Sequence, residues 1–496
     1  IKECDWSSDV CSSDLGMLVF LVLAVLFALG FEFVNGFHDT ANAVATVIYT
    51  HSLSPAQAAV WSGLWNFLGV VLSSGAVAYG IVALLPVELV LHVGTGAGFA
   101  MVFALLLSAV IWNLGTWYVG LPASSSHTLI GSIIGVGLMN GWLNGEAFGA
   151  GVNLGQLRAT ILALLVSPVV GFAAAALLLV AARQLVANPA LYRVPEGKAP
   201  PPLWIRGILI VTCTGVSFAH GSNDGQKGMG LIMLVLIGLA PAAFALHLPA
   251  SQDQLQAIVV ASQKAAPILA RAAAPGPIDE AAAERHLTRY LSTRKVDDWT
   301  LPSLALENQR IARALSRIKS VSQLSSGERS QLRQDIYLLT NAIELLIRTD
   351  QVGDADAAVL DASADGLSEI TDYIPLWVKI ATALALGLGT MIGWKRIVVT
   401  IGERIGKSHL TYAQGASAEL VAIGTIGVAD AFGVPVSTTH VLSSGIAGTM
   451  FANRSGLQGA TLRNILLAWV LTIPACVMLG SVLFAAFLFL VLRFAG

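Results

Sequence analysis

Phe33-Val34-Asn35-Gly36-Phe37-His38-Asp39-Thr40-Ala41-Asn42 interrupts a long apolar run near the start of the chain, and Phe218-Ala219-His220-Gly221-Ser222-Asn223-Asp224-Gly225-Gln226-Lys227 interrupts another near its middle. Aligned on their aspartates, the two stretches share Phe, Gly and Asp and exchange Asn with His, so that Asn35 stands opposite His220 and His38 opposite Asn223. A second pair follows. Gly120-Leu121-Pro122-Ala123-Ser124-Ser125-Ser126-His127 is answered by Gly433-Val434-Pro435-Val436-Ser437-Thr438-Thr439-His440. The chain therefore reads as two copies of one unit with polar residues at matching places.

Composition says where those units sit. Of 496 residues 55% are apolar and 12% charged, and the mean hydropathy is +0.73, which excludes a string of soluble domains and indicates an all-α polytopic membrane protein. The formal net charge of −2 offers no basic patch for nucleic acid. Cys213 and Cys476 lie in apolar segments, where a free thiol packs as a small hydrophobe. Cys4 and Cys11 fall in residues 1–16, whose repeated Ser-Ser-Asp reads as a non-native leader rather than a signal peptide.

About 20 residues span the hydrocarbon core, and on that measure the chain divides as follows. Residues 17–182 form the first membrane repeat, with spans at Met17–Tyr49 (interrupted at Asn35–Asn42), Gln57–Leu84, Gly98–Tyr118 and Gln156–Ala182, and with Pro122–Asn140 between the last two. A basic linker, 183–206, follows. The second repeat begins at 207–249, is broken by an insertion at 250–372, and resumes at 373–496; its spans are Trp204–Leu239 (interrupted at Ala219–Lys227), Pro375–Trp394, Ala413–Ala429, Pro435–Ala452 and Ile465–Leu492. With both Pro-Ser-Thr-His segments taken as re-entrant hairpins, about 10–12 membrane segments are expected. The insertion holds most of the charged residues and reads as a soluble helical domain, with helical runs at Ser303–Ser320 and Ser326–Thr349 and a capping-box pattern at Ser325 and Glu328.

Basic residues set the orientation. Arg158 is the only Lys or Arg between Met17 and Ala182, whereas the linker carries Arg183, Arg193, Lys198 and Arg206 and the 395–410 loop carries Lys395, Arg396, Arg404 and Lys407. The positive-inside rule makes both loops cytoplasmic. The matching loop of the first repeat, 85–97, has no Lys or Arg, so the repeats are expected to be inverted, with the insertion outside the cytoplasm.

A carboxylate at membrane depth is retained mainly where it faces a cavity or a partner. Asp39 and Asp224 fit that rule, and breaks at corresponding places in two repeats point to a transporter's substrate and ion site. The expected breaks would free carbonyls toward a cation, with Asn35, Asn42 and Asn223 as neutral oxygen donors beside the aspartates; the bland reading of each motif is a turn between spans. Pro122 and Pro435 suit the first turn of a helix, where hydroxyls, open N–H groups and the positive dipole end would favour an anion. Gly131, Gly135, Gly137, Gly445 and Gly448 give the following helices a small-residue face. Lys227 breaks the symmetry, standing where the first copy has Asn42, and could pair Asp224 while Asp39 stays free for a coupling ion. His38, His127, His220 and His440 either relay protons or hold the structure by hydrogen bonds. Glu419, Asp430, Asn66 and Asn113 are further polar residues in or beside spans.

These motif pairs, with Tyr412-Ala413-Gln414-Gly415-Ala416-Ser417-Ala418-Glu419, resemble the inorganic phosphate transporter (PiT) family, in particular its bacterial low-affinity branch, over Met17 to Gly496. The resemblance implies import of inorganic phosphate by symport with protons, as a neutral complex with a divalent metal, by a multi-pass and often dimeric protein of the bacterial inner membrane that needs no cofactor. It assigns Ser124, Ser125, Ser126, Ser437, Thr438 and Thr439, with Thr128 beside them, to phosphate. Asp39 and Asp224 become the ion or proton carboxylates, and the Asn223-Asp224-Lys227 pattern resembles the proton-coupled members more than the sodium-coupled ones. A sodium-coupled symporter and an anion channel are the alternatives. An intramembrane hydrolase is disfavoured, because the Ser, His and Asp residues are duplicated symmetrically and no nucleophile or metalloprotease signature occurs in the spans.

Overall fold

The computed structural model describes residues 14–82, 84–85, 95–145, 149, 152, 154–197, 199–272 and 275–495. The order is α1 (Asp14–Tyr49), α2 (Pro55–Leu72), α3 (Ala76–Val82), α4 (Gly96–Tyr118), α5 (Ser125–Leu143), α6 (Leu154–Leu185), α7 (Leu203–Leu239), α8 (Pro241–Phe244), α9 (Gln252–Leu269), α10 (Glu280–Thr293), α11 (Thr300–Ser316), α12 (Ser326–Arg348), α13 (Asp354–Thr371), α14 (Leu376–Ile392), α15 (Lys395–Glu403), α16 (Tyr412–Ala431), α17 (Thr438–Ala452) and α18 (Gly459–Ala495). No strand occurs among the described residues. Within the expected leader, helix α1 already starts at Asp14; Cys4, Cys11, Lys198 and most of the 85–97 loop lie outside the described residues.

One expectation fails here. The aspartate motifs do not interrupt their helices: α1 runs unbroken for 36 residues and α7 for 37. Their Gly and Asn residues are not helix breakers in this setting, because neighbouring helices satisfy the polar side chains and use the glycines as crossing points. Among the described residues five helices are long and apolar enough to cross a membrane, or seven if α2 with α3 and α13 with α14, each pair bent by 77°, are single spans. Helices α5 and α17 have 19 and 15 residues, and 15 residues rise only about 22 Å, short of a full crossing.

The packing exchanges partners between the halves. Helix α1 packs on α14 and α7 on α2, while α5 packs on α18 and α17 on α6. Glycines set the closest crossings. A methyl group on Gly36 would collide with the Leu386 carbonyl and one on Gly389 with the Phe33 carbonyl; on the other pair Gly221 abuts Asn66 and Gly69 abuts Phe218 in the same way. Gly135 and Gly448 sit likewise against the carbonyls of Val477 and Phe172. Overpacking costs about 1–3 kcal/mol and sometimes more. Gly221→Ala is accordingly expected to lower the thermal midpoint in detergent by several degrees and Gly221→Leu to prevent folding, with Gly424→Ala, whose Cβ would meet open space, as the unchanged reference.

Two apolar clusters follow from this packing. One gathers Phe31, Leu105, Leu129, Met229 and Leu386, the other Val44, Val47, Val216, Ile401 and Leu442. The polar motifs lie between them.

The insertion has a third core, around Leu255, Ile258, Leu304, Ile311, Leu315, Ile336, Leu339 and Leu367. It contains α9 to α13, three helices more than the two expected from spacing, and the Ser325–Glu328 capping box forms at the start of α12. Arg310 gathers Glu280, Glu307 and Asp335. Burial nevertheless pushes the Glu307 carboxyl up to about 7. A cavity of about 1130 Å³ separates α12 and α13 from the ends of α3, α7 and α16, with Tyr79, Met233, Arg333, Tyr337, Glu344 and Gly433 on its walls.

Candidate functional site

The polar layer is built where α1 and α7 cross beside the starts of α5 and α17. The helices α5 and α17 begin one residue after Ser124 and Ser437, whose hydroxyls accept the N–H groups of His127 and His440 as N-caps. Pro122 and Pro435 therefore precede the caps and do not occupy the first turn. That arrangement places Ser125 and Thr439 in the first turns, from which they reach across.

Both reach Asp39. Ser125 Oγ donates to Asp39 Oδ2 at 2.8 Å and Thr439 Oγ1 to Oδ1 at 2.7 Å, while His38 Nδ1 stands 3.1 Å from Oδ1. The second His38 nitrogen meets Thr116 Oγ1 at 3.1 Å. The anion that these helix starts favour is thus, in this structure, the Asp39 carboxylate itself. Ser125 Oγ also lies 3.5 Å from Asp224 Oδ2, so one hydroxyl touches both aspartates.

Asp224 is held differently. Lys227 Nζ sits 2.7 Å from its Oδ1, one helical turn away, and donates to Ser126 Oγ at 2.6 Å; Ser126 in turn donates to the Val436 carbonyl at 2.9 Å. His220 Nε2 is 3.4 Å from Asp224 Oδ2, and its other nitrogen meets Asn66 Oδ1 at 2.7 Å. Asp224 and Lys227 are almost completely buried, with 1% and 0% of their surface exposed, so the pair is a desolvated one whose geometry has to be good to be tolerated. Asn223 braces the turn before α17, its amide oxygen accepting Val436 N and its nitrogen donating to the Val434 carbonyl, both at 3.4 Å.

Ligand atoms of Asp39, His220 and Asp224 lie within 4.8 Å of one another. Two carboxylates and one imidazole make a mixed oxygen and nitrogen set that suits a divalent cation. The remaining expected residues divide. Thr128 binds Asn113 Oδ1 at 3.0 Å and the Ser124 carbonyl at 2.8 Å, bracing α5. Thr438 has a buried hydroxyl with no partner. His127 and His440, one from each copy, pack with their rings tilted by 42° and centres 4.3 Å apart, and His440 stacks on Trp469 at 3.9 Å. Neither histidine reaches the aspartates by any hydrogen bond among the described residues. Asn42 lies in α1, but its side chain is outside what the structure describes. Asn35 turns its amide to Glu32, 3.4 Å away.

Two polar belts flank this centre. Glu419 accepts hydroxyls from Thr46 of α1 and Thr212 of α7. On the other side Asp430 accepts Ser222 Oγ and Gln226 Nε2, each at 2.7 Å, and Gln226 Oε1 takes Val77 N at 2.9 Å. Sequence reasoning passed over Glu32, Thr116 and Gln226. A lone glutamate inside an apolar span was the signal available for the first.

Residues 35–480 match the phosphate transporter family, PHO4. The chain is 42% identical over 493 residues to the low-affinity inorganic phosphate transporter PitA of Escherichia coli, covering 95% of this chain and 97% of that one. It is 42% identical over 489 residues to PitB of the same organism, covering 94% and 96%. A low-affinity inorganic phosphate transporter of Buchnera aphidicola is 41% identical over 505 residues, covering 97% and 99%. Among solved structures, a sodium-dependent phosphate transporter shares the fold at a TM-score of 0.50 and 19% identity, covering 94% of this chain and 98% of that one. These relatives are transporters and not enzymes. With two aspartates, a lysine and two hydroxyl-bearing helix starts meeting in one layer of a helical membrane protein, the chain belongs to the phosphate transporter family.

Proposed function

We propose that this protein imports inorganic phosphate across the bacterial inner membrane by symport with protons, taking the phosphate as a neutral complex with a divalent cation. One observation carries the reading: the hydroxyls of both Pro-Ser-Thr-His helix starts are bonded to the carboxylate of Asp39, and Ser125 spans Asp39 and Asp224. A cation-favouring group and an anion-favouring group thereby share one set of atoms. A divalent cation entering between Asp39, Asp224 and His220 neutralises the carboxylates. Ser125 and Thr439 are then released to donate to phosphate oxygens, with Ser124, Ser126, Ser437 and Thr438 around them.

The electrical argument agrees. Each net charge moved is worth ~2.3 kcal/mol per 100 mV, so a phosphate dianion alone would be driven out of a negative-inside cell. Pairing it with a divalent cation removes that penalty, and an added proton makes entry favourable.

The exchanged packing of α1 with α14 against α7 with α2, and of α5 with α18 against α17 with α6, supports two inverted repeats in which α5 and α17 are re-entrant. Residues 17–182 form the first repeat and 207–249 with 373–496 the second, with the insertion on the outer face and the 183–206 linker inside. Such a site, formed where two repeats meet, is what alternating access requires. A homodimer is the assembly we expect.

The reading is tested by phosphate uptake into proteoliposomes under an imposed pH gradient. Removing divalent cations with a chelator is expected to reduce uptake at least about tenfold, and magnesium should restore it. Uptake that is indifferent to the chelator would rule out the metal complex as the transported species, and uptake under a sodium gradient alone would rule out the proton.

A further inference from the structure

Glu32 is a further buried carboxylate of the membrane helices, beside Asp39, Asp224 and Glu419, and nothing above uses it. It is 0% exposed. Asn35 Nδ2 donates to its Oε2 at 3.4 Å and the Gly228 backbone lies close to the carboxyl, but neither Glu32 Oε1 nor Asn35 Oδ1, both buried, makes a well-formed hydrogen bond. The site is cut to receive it: a methyl group on Gly228, the residue after Lys227, would overlap Glu32 Cγ and Oε1. The charged groups that act on Glu32 are Lys227 and Asp224 of α7. Lys227 is already engaged by Asp224 and Ser126.

The others contrast with it, both oxygens of Glu419 accepting threonine hydroxyls. Asp39 has three partners and Asp224 an ammonium at 2.7 Å. Asp224 Oδ1 also lacks a hydrogen bond, but the Lys227 ammonium compensates its charge; no ion pair reaches Glu32 among the described residues. A fully buried carboxyl with an unpartnered oxygen is where a monovalent cation supplies the missing positive charge.

Its place along the helices fits an entry route. Glu32 meets Gly228 of α7, whereas Thr46 and Thr212 share Glu419, so α1 and α7 run antiparallel. Glu32 therefore lies about 10 Å from Asp39 along α1, on the side where α7 leads into the insertion and its cavity.

We propose that Glu32, with Asn35 Oδ1 beside it, is the seat of the coupling cation, binding one proton or one alkali cation per cycle between the insertion side and the Asp39–Asp224 centre. This rests on the symport reading above. Binding neutralises the carboxylate and release on the far side restores its charge; no covalent step is involved.

The test compares full-length wild type with Glu32→Gln, Glu32→Asp and Gly228→Ala in proteoliposomes loaded with radiolabelled phosphate. Two quantities are read: accumulation driven by a pH or sodium gradient, and tracer exchange between equal phosphate pools. A permanently neutral side chain still lets a loaded carrier shuttle but uncouples it from the gradient. In Glu32→Gln, driven accumulation should therefore fall at least about tenfold more than exchange. Glu32→Asp should recover part of it, and Gly228→Ala, which displaces the carboxyl, should act like Glu32→Gln. A parallel fall of accumulation and exchange in Glu32→Gln, or accumulation equal to wild type, would overturn the assignment. If wild type responds to sodium and not to pH, and Glu32→Gln loses that response, the site stands and the proton reading falls. Wild type that accumulates phosphate under neither gradient refutes both.

Discussion

Asp39→Asn is expected to abolish gradient-driven phosphate uptake, lowering it at least about a hundredfold, while leaving the protein folded. The carboxylate collects Ser125 from α5, Thr439 from α17 and His38 from its own helix. Both Pro-Ser-Thr-His helices therefore bond to this one carboxylate. An amide of the same volume keeps one acceptor but presents an N–H₂ group to a hydroxyl that had been donating. Such a mismatch in a buried network costs about 1–3 kcal/mol, enough to loosen the layer without unfolding a chain this large. The larger effect is on charge. Without Asp39 the cation set of Asp39, His220 and Asp224 keeps one carboxylate, and that one is shared with Lys227. A divalent cation then has neither the charge nor the number of oxygens to be held. The measurement is uptake per molecule in proteoliposomes, alongside thermal unfolding in detergent. Uptake within a few-fold of wild type at an unchanged thermal midpoint would remove Asp39 from the centre of the mechanism.

How much of this was legible in the sequence depends on whether a feature is local. The helix positions were, because apolar runs of membrane length stand out, and α4, α6, α7 and α18 begin and end within a few residues of the runs that signalled them, apart from the N-terminal side of α18. The two motif pairs were legible for the same reason: Asp39, Asp224 and the Ser-rich segments repeat in order. What could not be read was the continuity of α1 and α7. Glycine, asparagine and aspartate disfavour a helix when considered alone. Here Gly36 is required by the Leu386 carbonyl pressed against it, and the polar side chains are satisfied from other helices, a tertiary fact with no local trace. Glu32 was missed similarly. Its notch at Gly228 joins residues nearly 200 positions apart. In the insertion, α9, α10 and α13 were passed over; in the first two, Pro267 and the alanine-containing Glu280–Thr293 run dilute the apolar spacing. Pro122 and Pro435 stand three positions before the first helical residues, Ser125 and Thr438, since the serines between make better caps.

The second large effect concerns Lys227. Lys227→Asn restores the residue found at the matching place in the first copy, Asn42, and is expected to lower pH-gradient-driven uptake at least about tenfold and to make the residual uptake depend on an added cation. The ammonium pairs with Asp224 at 2.7 Å and donates to Ser126 at 2.6 Å. Ser126 holds the Val436 carbonyl just ahead of α17. One side chain therefore ties α7, α5 and the approach to α17 together. Removing it breaks a buried ion pair, a change that typically costs about 3–5 kcal/mol because the remaining charge is left uncompensated, so the thermal midpoint should fall as well. A cation that binds the vacated place supplies the lost charge and should raise that midpoint again by mass action. The decisive comparison is thermal unfolding of the variant with sodium, magnesium or choline. Selective recovery with sodium or magnesium would mean that Lys227 occupies a cation's place, and that the asymmetry between the two copies is what leaves a single mobile positive charge to couple. Lys227→Arg is no substitute, because a planar guanidinium cannot fit the same buried point contact, and it should impair uptake without creating the cation response. If Lys227→Asn leaves stability, uptake and ion dependence unchanged, the lysine is a bystander, and Asp224 must be neutralised by another group.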